Sequence, residues 1–125
     1  MADAQELSRI TTSAQLDDFF DASSKRPLWL LKHSLICPTS AGALQEFEKF
    51  AARQSDRALI GVIEIQRARE LSREVAVRTG VRHESPQALL IRDGLPIWHS
   101  SHWEITEQTL DQAAEDHLAV ETTSG

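Results

Sequence analysis

With 125 residues and a single cysteine, the chain has room for one domain with one core and no means of closing an internal disulfide. A formal charge of -6 argues against general binding to nucleic acid or an anionic membrane, both of which need a positive field. No apolar run is long enough to span a bilayer, and Met1-Ala2-Asp3-Ala4-Gln5-Glu6 lacks the basic-then-apolar layout of a secretory signal. A reducing cytoplasm is the expected setting.

One domain is expected over residues 1–125, with flexible ends at about 1–10 and 119–125, where residues are small or polar and show no periodicity. Thr12 and Gln15 have capping-box spacing, and Leu16, Phe19 and Phe20 follow on one helical face, so a helix is predicted to end near Ser23 and Ser24. Residues 28–31 form a short apolar run after Pro27, which suits a strand buried on both sides. A long helix follows Cys37-Pro38, with Leu44, Phe47 and Ala51 inward and Gln45, Glu46 and Lys49 outward. Residues 59–65 read as a second buried strand. Ala68, Leu71 and Val75 mark another helix, which Gly80 is placed to close. Residues 88–91 and 95–98 are predicted strands joined around Asp93-Gly94, and Pro96 assigns the second to a sheet edge. A last helix is predicted over 106–118. The order α-β-α-β-α-β-β-α implies a parallel crossover followed by an antiparallel hairpin. An α/β fold follows, with a mixed sheet of about four strands and helices on both faces.

The stretch Lys32-His33-Ser34-Leu35-Ile36-Cys37-Pro38-Thr39-Ser40 joins a buried strand to a long helix, the edge of an α/β sheet where sites form. Pro38 suits the first helical position, which makes Cys37 the N-cap. Its sulfur then faces the free N–H groups of Thr39 and Ser40 at the positive end of the helix dipole, which favours a thiolate. Lys32 and His33 are candidates for adding positive potential. The other reading is a small inert cysteine. Ser40 stands where a resolving cysteine would, so a reactive Cys37 would need a second thiol from outside.

Ser85-Pro86 precedes a strand. Because only about 5–6% of such bonds are cis, the residues alone point to an ordinary trans turn. His83, His99 and His102, with Cys37, raise the question of a metal, but no carboxylate or second cysteine completes a ligand pattern, and no metal is expected. Trp98 and Trp103 bracket two of these histidines and read as core or cover, or as a shield for the site.

Taken together, these residues resemble the YtxJ-like family of monothiol bacilliredoxins, a thioredoxin-fold group. The family's Thr-Cys-Pro-Ile-Ser site aligns with Ile36-Cys37-Pro38-Thr39-Ser40, and its His-Glu-Ser-Pro-Gln segment with His83-Glu84-Ser85-Pro86-Gln87. A Trp-His-x-Ser-His-Trp-x-Ile-Thr stretch is found from Trp98 to Thr106, and Leu31-Lys32-His33-Ser34 is also similar. The likeness spans roughly residues 16–118. It implies a thioredoxin-like fold and a catalytic Cys37 supported by Ile36, Pro38, Thr39 and Ser40. It also implies a cis Pro86 whose neighbour Ser85 pairs with a bound thiol, reversing the trans reading. Lys32, His33, His83, His99 and His102 become candidates for the surroundings of the site.

The implied activity is removal of bacillithiol, or a similar low-molecular-weight thiol, from mixed disulfides on client proteins. The small thiol is a co-substrate, and no cofactor, nucleic acid or membrane partner is expected. Ile36 in place of the family threonine removes a hydroxyl beside the sulfur, and Thr39 replaces an isoleucine. Both bear on substrate preference. The competing classes are a thioredoxin-like adaptor with an unreactive thiol, and a metal or iron–sulfur protein.

Overall fold

A computed structural model describes residues 7–54 and 57–124. In chain order its elements are β1 (Ser8–Arg9), α1 (Ser13–Ala22), β2 (Leu28–His33), α2 (Pro38–Ala52), β3 (Leu59–Glu64), α3 (Arg69–Thr79), β4 (Gln87–Arg92) and β5 (Leu95–Ser101). A single 3-10 turn (His102–Glu104) and α4 (Glu107–Ser124) complete the chain. The sheet order is β1-β3-β2-β4-β5. β1, β3 and β2 run parallel, while β4 and β5 are antiparallel to their neighbours.

The local signals account for most of these boundaries. Thr12 and Gln15 close the capping box at the start of α1. Gly80 takes the left-handed φ of 73° that ends α3. Asp93 and Gly94 both have positive φ, as a tight hairpin turn requires. That turn is moored to the end of α1, where the Gly94 N–H donates to Ser23 Oγ at 2.8 Å. Pro96 lies in β5 at the sheet edge, next to a register shift at Leu90/Ile91.

The sheet has five strands among the described residues, one more than the sequence pattern predicts. The addition is β1, in the stretch expected to be flexible. Its two side chains are exposed and carry no alternation. What holds it is the next residue, Ile10, which is buried and donates its N–H to the Val62 carbonyl at 2.9 Å. A Cβ on Gly61 would stand 2.7 Å from Ile10 Cδ1, so the buried Ile10 side chain occupies the space that a larger residue at 61 would need. The expected flexibility of residues 1–6 and of Gly125 lies outside the described residues. α4 continues to Ser124, past the point at residue 118 where its apolar periodicity stops.

β2 is buried at every position, as a central strand with two covered faces must be. Alternation sends Trp29 and Leu31 toward α2 and α4, where they join Phe47, Phe50 and Leu110. Trp29 meets Phe50 edge-on at 4.6 Å and Trp98 at 6.0 Å. Leu28 and Leu30 point to the other face, toward Leu16, Phe20, Leu71 and Val75. Each large side chain buried this way contributes roughly 1.5–3 kcal/mol. Lys32 continues that second face and is itself fully buried. With both faces filled, the C-terminal end of β2 is packed in the core where the cysteine loop departs.

Candidate active site

Cys37 is the N-cap of α2, with extended backbone (φ -103°, ψ 122°) and Pro38 opening the helix. Its thiol is partly exposed. The sulfur makes no cap hydrogen bond of ordinary geometry. The Ser40 main-chain N–H nevertheless lowers its pKa most; desolvation, the next largest effect, opposes it, and the Thr39 N–H and the two hydroxyls lower it further. Lys32 and His33, expected to add positive potential, are not among the groups that shift it. The activation is therefore local to the helix start, the environment that favours a thiolate over a thiol.

The loop before the sulfur is tied down by side chains. Ser40 is fully buried, and its Oγ accepts the Ser34 N–H at 3.1 Å. Gln66, just past β3, holds two points at once: its Oε1 accepts the Leu35 N–H at 2.8 Å, and its Nε2 donates to Ser34 Oγ at 2.9 Å. The sequence reading missed Gln66. The available signal was a polar residue closing a buried strand parallel to β2, at the carboxyl edge where α/β sites form. Because these contacts are partly open to water, Gln66→Ala should cost about 1 kcal/mol in urea unfolding. The alkylation rate of Cys37 should stay close to that of the unsubstituted protein, since the helix start is untouched.

The Ser85-Pro86 peptide is cis, as the resemblance implied and against the trans reading of the residues alone. It comes immediately before Gln87, which pairs with Lys32 across the antiparallel β2–β4 ladder. The start of β4 and the end of β2 therefore lie at one end of the sheet, and Cys37 and Ser85 emerge there together. Pro86 is buried, and its carbonyl accepts the His102 N–H at 3.0 Å. His102 has φ 56°, a left-handed conformation uncommon outside glycine, and its Nε2 lies 2.9 Å from Glu84 Oε1. That contact holds the Glu84 carboxyl below the usual carboxylate range.

The remaining candidates separate. Lys32 and His33 are adjacent in β2, so their side chains leave opposite faces. Lys32 meets His83, with Nζ 3.2 Å from Nδ1. His33 is buried on the α2 side, beside a small cleft lined also by Arg9, Leu44, Glu48 and Glu64. Burial lowers its pKa, opposed chiefly by Glu64. His99 is exposed and pairs with Leu89, further along the hairpin. No group of three or more His, Cys, Asp or Glu able to hold a metal occurs among the described residues. Next to the cysteine Leu35 and Ile36 are exposed; Trp103 is exposed on the 3-10 turn, which packs against α2. Trp98, by contrast, lies against the core.

A mixed sheet with helices on both faces, a cysteine at a helix start beside it and a cis-proline at the same sheet end together define a redox protein of the thioredoxin fold. Solved structures agree. A protein assigned as an oxidoreductase with a thioredoxin fold superposes with a TM-score of 0.81 at 30% identity, covering 92% of this chain and 99% of that one. Fasciola hepatica thioredoxin matches at TM-score 0.71 and 15% identity, over 88% of this chain and 98% of its own. Trypanosoma brucei brucei thioredoxin matches at 0.72 and 14%, over 88% of each chain. These two share the fold. Residues 8–110 match the family model described as monothiol bacilliredoxin BrxC, and the chain belongs to that family.

Proposed function

We propose that the protein is a monothiol thiol–disulfide oxidoreductase that removes bacillithiol, or a similar small thiol, from mixed disulfides on client proteins in the cytoplasm. The observation that carries this reading is Cys37 itself: the chain's one cysteine, partly exposed, with a pKa lowered by the helix start. No helix among the described residues is long and apolar enough to cross a membrane, which is compatible with that setting.

In the first step the Cys37 thiolate attacks the small-thiol sulfur of the mixed disulfide. A new S–S bond forms to Cys37, the old one breaks, and the client sulfur leaves as a thiolate that takes a proton from solvent. A second thiolate from outside then attacks the small-thiol sulfur, carries it away as a new disulfide, and restores the Cys37 thiolate. Exchange is fastest when the attacking thiol has a pKa near ambient pH, so a depressed rather than extreme value suits both steps. The Ser85 main chain beside cis-Pro86 is the surface assigned to the bound thiol. Exposed Leu35, Ile36 and Trp103 offer the client an apolar landing.

The test mixes the purified protein with a bacillithiolated client and follows both by mass spectrometry. The expected result is loss of the adduct from the client and its appearance on Cys37, absent in Cys37→Ser. Failure of transfer, with Cys37 alkylating as slowly as a free thiol of ordinary pKa near ~8.5, would sink the reading in favour of an unreactive adaptor.

A further inference from the structure

A lysine in the middle of a folded protein needs an explanation, because lysines are almost never fully buried unless paired. Lys32 is fully buried, at the end of the central strand. Among the described residues it has no carboxylate partner: its Nζ lies 3.2 Å from His83 Nδ1. His83 is exposed and belongs to residues 81–86, which have no regular structure and end in the cis-proline. Burial depresses the Lys32 ammonium to about 8, and the charge of Lys32 helps to lower His83. The Nδ1 of a neutral His83 can accept the hydrogen bond that the Lys32 ammonium donates. The contact is thus a hydrogen bond from a buried cation to a loop histidine.

The same loop is gripped at neighbouring points. Gln87, buried and directly opposite Lys32 in the ladder, donates its Nε2 to the Arg82 carbonyl at 2.9 Å. His102 reaches Glu84 and the Pro86 carbonyl. A segment with no backbone ladder of its own is held by side chains from β2 and β4 and by His102 just past β5. Lys32 is the anchor set deepest in the sheet.

We propose that Lys32 is a positioning residue for the exchange: by holding His83 from beneath the sheet end, it sets the orientation in which the Ser85 main chain receives the small-thiol half of the disulfide. Resting on the function proposed above, this assigns Lys32 to substrate capture rather than to activation of the cysteine, in keeping with its absence from the groups that shift Cys37.

Lys32→Met tests it, with a side chain of similar length that suits a buried site. Backbone 15N order parameters over residues 82–85 should fall from about 0.85 to below about 0.6, because the loop loses its anchor. KM for the bacillithiolated client should rise about tenfold while kcat and the alkylation rate of Cys37 change less than about threefold, the pattern of lost binding without lost chemistry. His83→Asn, which keeps an acceptor where Nδ1 stands, should restrict the KM rise to about threefold, whereas His83→Leu should match Lys32→Met. Unchanged order parameters over residues 82–85 overturn the proposal whichever thiol the protein uses. So does an altered alkylation rate that accounts for the whole loss of transfer. If the unsubstituted protein transfers no bacillithiol, the proposed function fails, and the order parameters alone then decide whether Lys32 anchors the loop.

Discussion

Lys32→Met is expected to stabilise the protein at pH 7 by about 3 kcal/mol, an effect that vanishes in strong alkali. In the native state burial moves the ammonium from 10.5 to about 8, and each tenfold weakening of proton binding corresponds to ~1.4 kcal/mol. The unfolded chain therefore holds this proton more tightly than the folded one. Between pH 8 and 10.5 the unfolded state binds more protons, so stability rises with pH across that window. Below pH 8 the full penalty is present; above 10.5 both states are neutral and it is gone. Methionine fills a similar volume with no charge to desolvate, and such replacements of buried ions are often stabilising. Urea unfolding of both proteins at pH 7 and pH 10.5 brackets the Lys32 titration; His83, whose pKa the Lys32 charge helps to lower, is shifted in the acidic direction and titrates below both. Tm at pH 7 should rise by about 11 °C. Equal stability at both pH values would show that the ammonium is not desolvated as its burial requires.

A residue kept at that cost beside a reactive centre fits the general pattern in which sites trade stability for function. The trade is local. Cys37 needs only the start of α2 to be activated, and that start is specified by Pro38 and two residues beyond it. Holding a disulfide partner takes more, because the surface facing the cysteine is a loop with no ladder. The two halves of the site are thus built by different means: one by helix geometry, the other by side chains reaching out from the sheet.

That division also explains what could be read from the sequence. The helix starts at Thr12 and Cys37, the stop at Gly80 and the turn at Asp93-Gly94 each depend on a few adjacent residues, and each is found where its chemistry places it. β1 escaped notice because Ser8 and Arg9 are exposed and are held through Ile10 against Gly61, more than fifty positions away. Gln66 and the Lys32–His83 contact were illegible for the same reason: a glutamine or lysine in a string of residues reads as solvated until the sheet brings its partner. The cis geometry of Pro86 was invisible to residue-by-residue reasoning and followed from three ordered motifs. The alternation of β2 is legible, and it separates Lys32 from His33: neighbours in a strand cannot serve one site from the same face.

Ser40→Cys should convert the one-cysteine cycle into a self-completing one. Cys37 is the N-cap and Ser40 the third residue of the helix, and an N-cap side chain leans over that position. A thiol introduced there would lie within reach of the Cys37 sulfur, attack it in the adduct, and expel the small thiol as a thiolate while an intrachain disulfide closes. An internal nucleophile acts at an effective concentration far above that of any external thiol. Release from the preformed adduct should be at least about tenfold faster than in the unsubstituted protein when no external thiol is added. The change has an opposing cost, since sulfur is a weaker acceptor for the buried Ser34 N–H now bound at 3.1 Å, roughly 1 kcal/mol of stability in the reduced state. Mass spectrometry reads both products, the freed thiol and a chain lighter by two hydrogens than its reduced form. Persistence of the adduct over the same interval would mean that the buried Ser40 position does not face the sulfur, and that something other than the missing second thiol restricts the protein to a monothiol cycle.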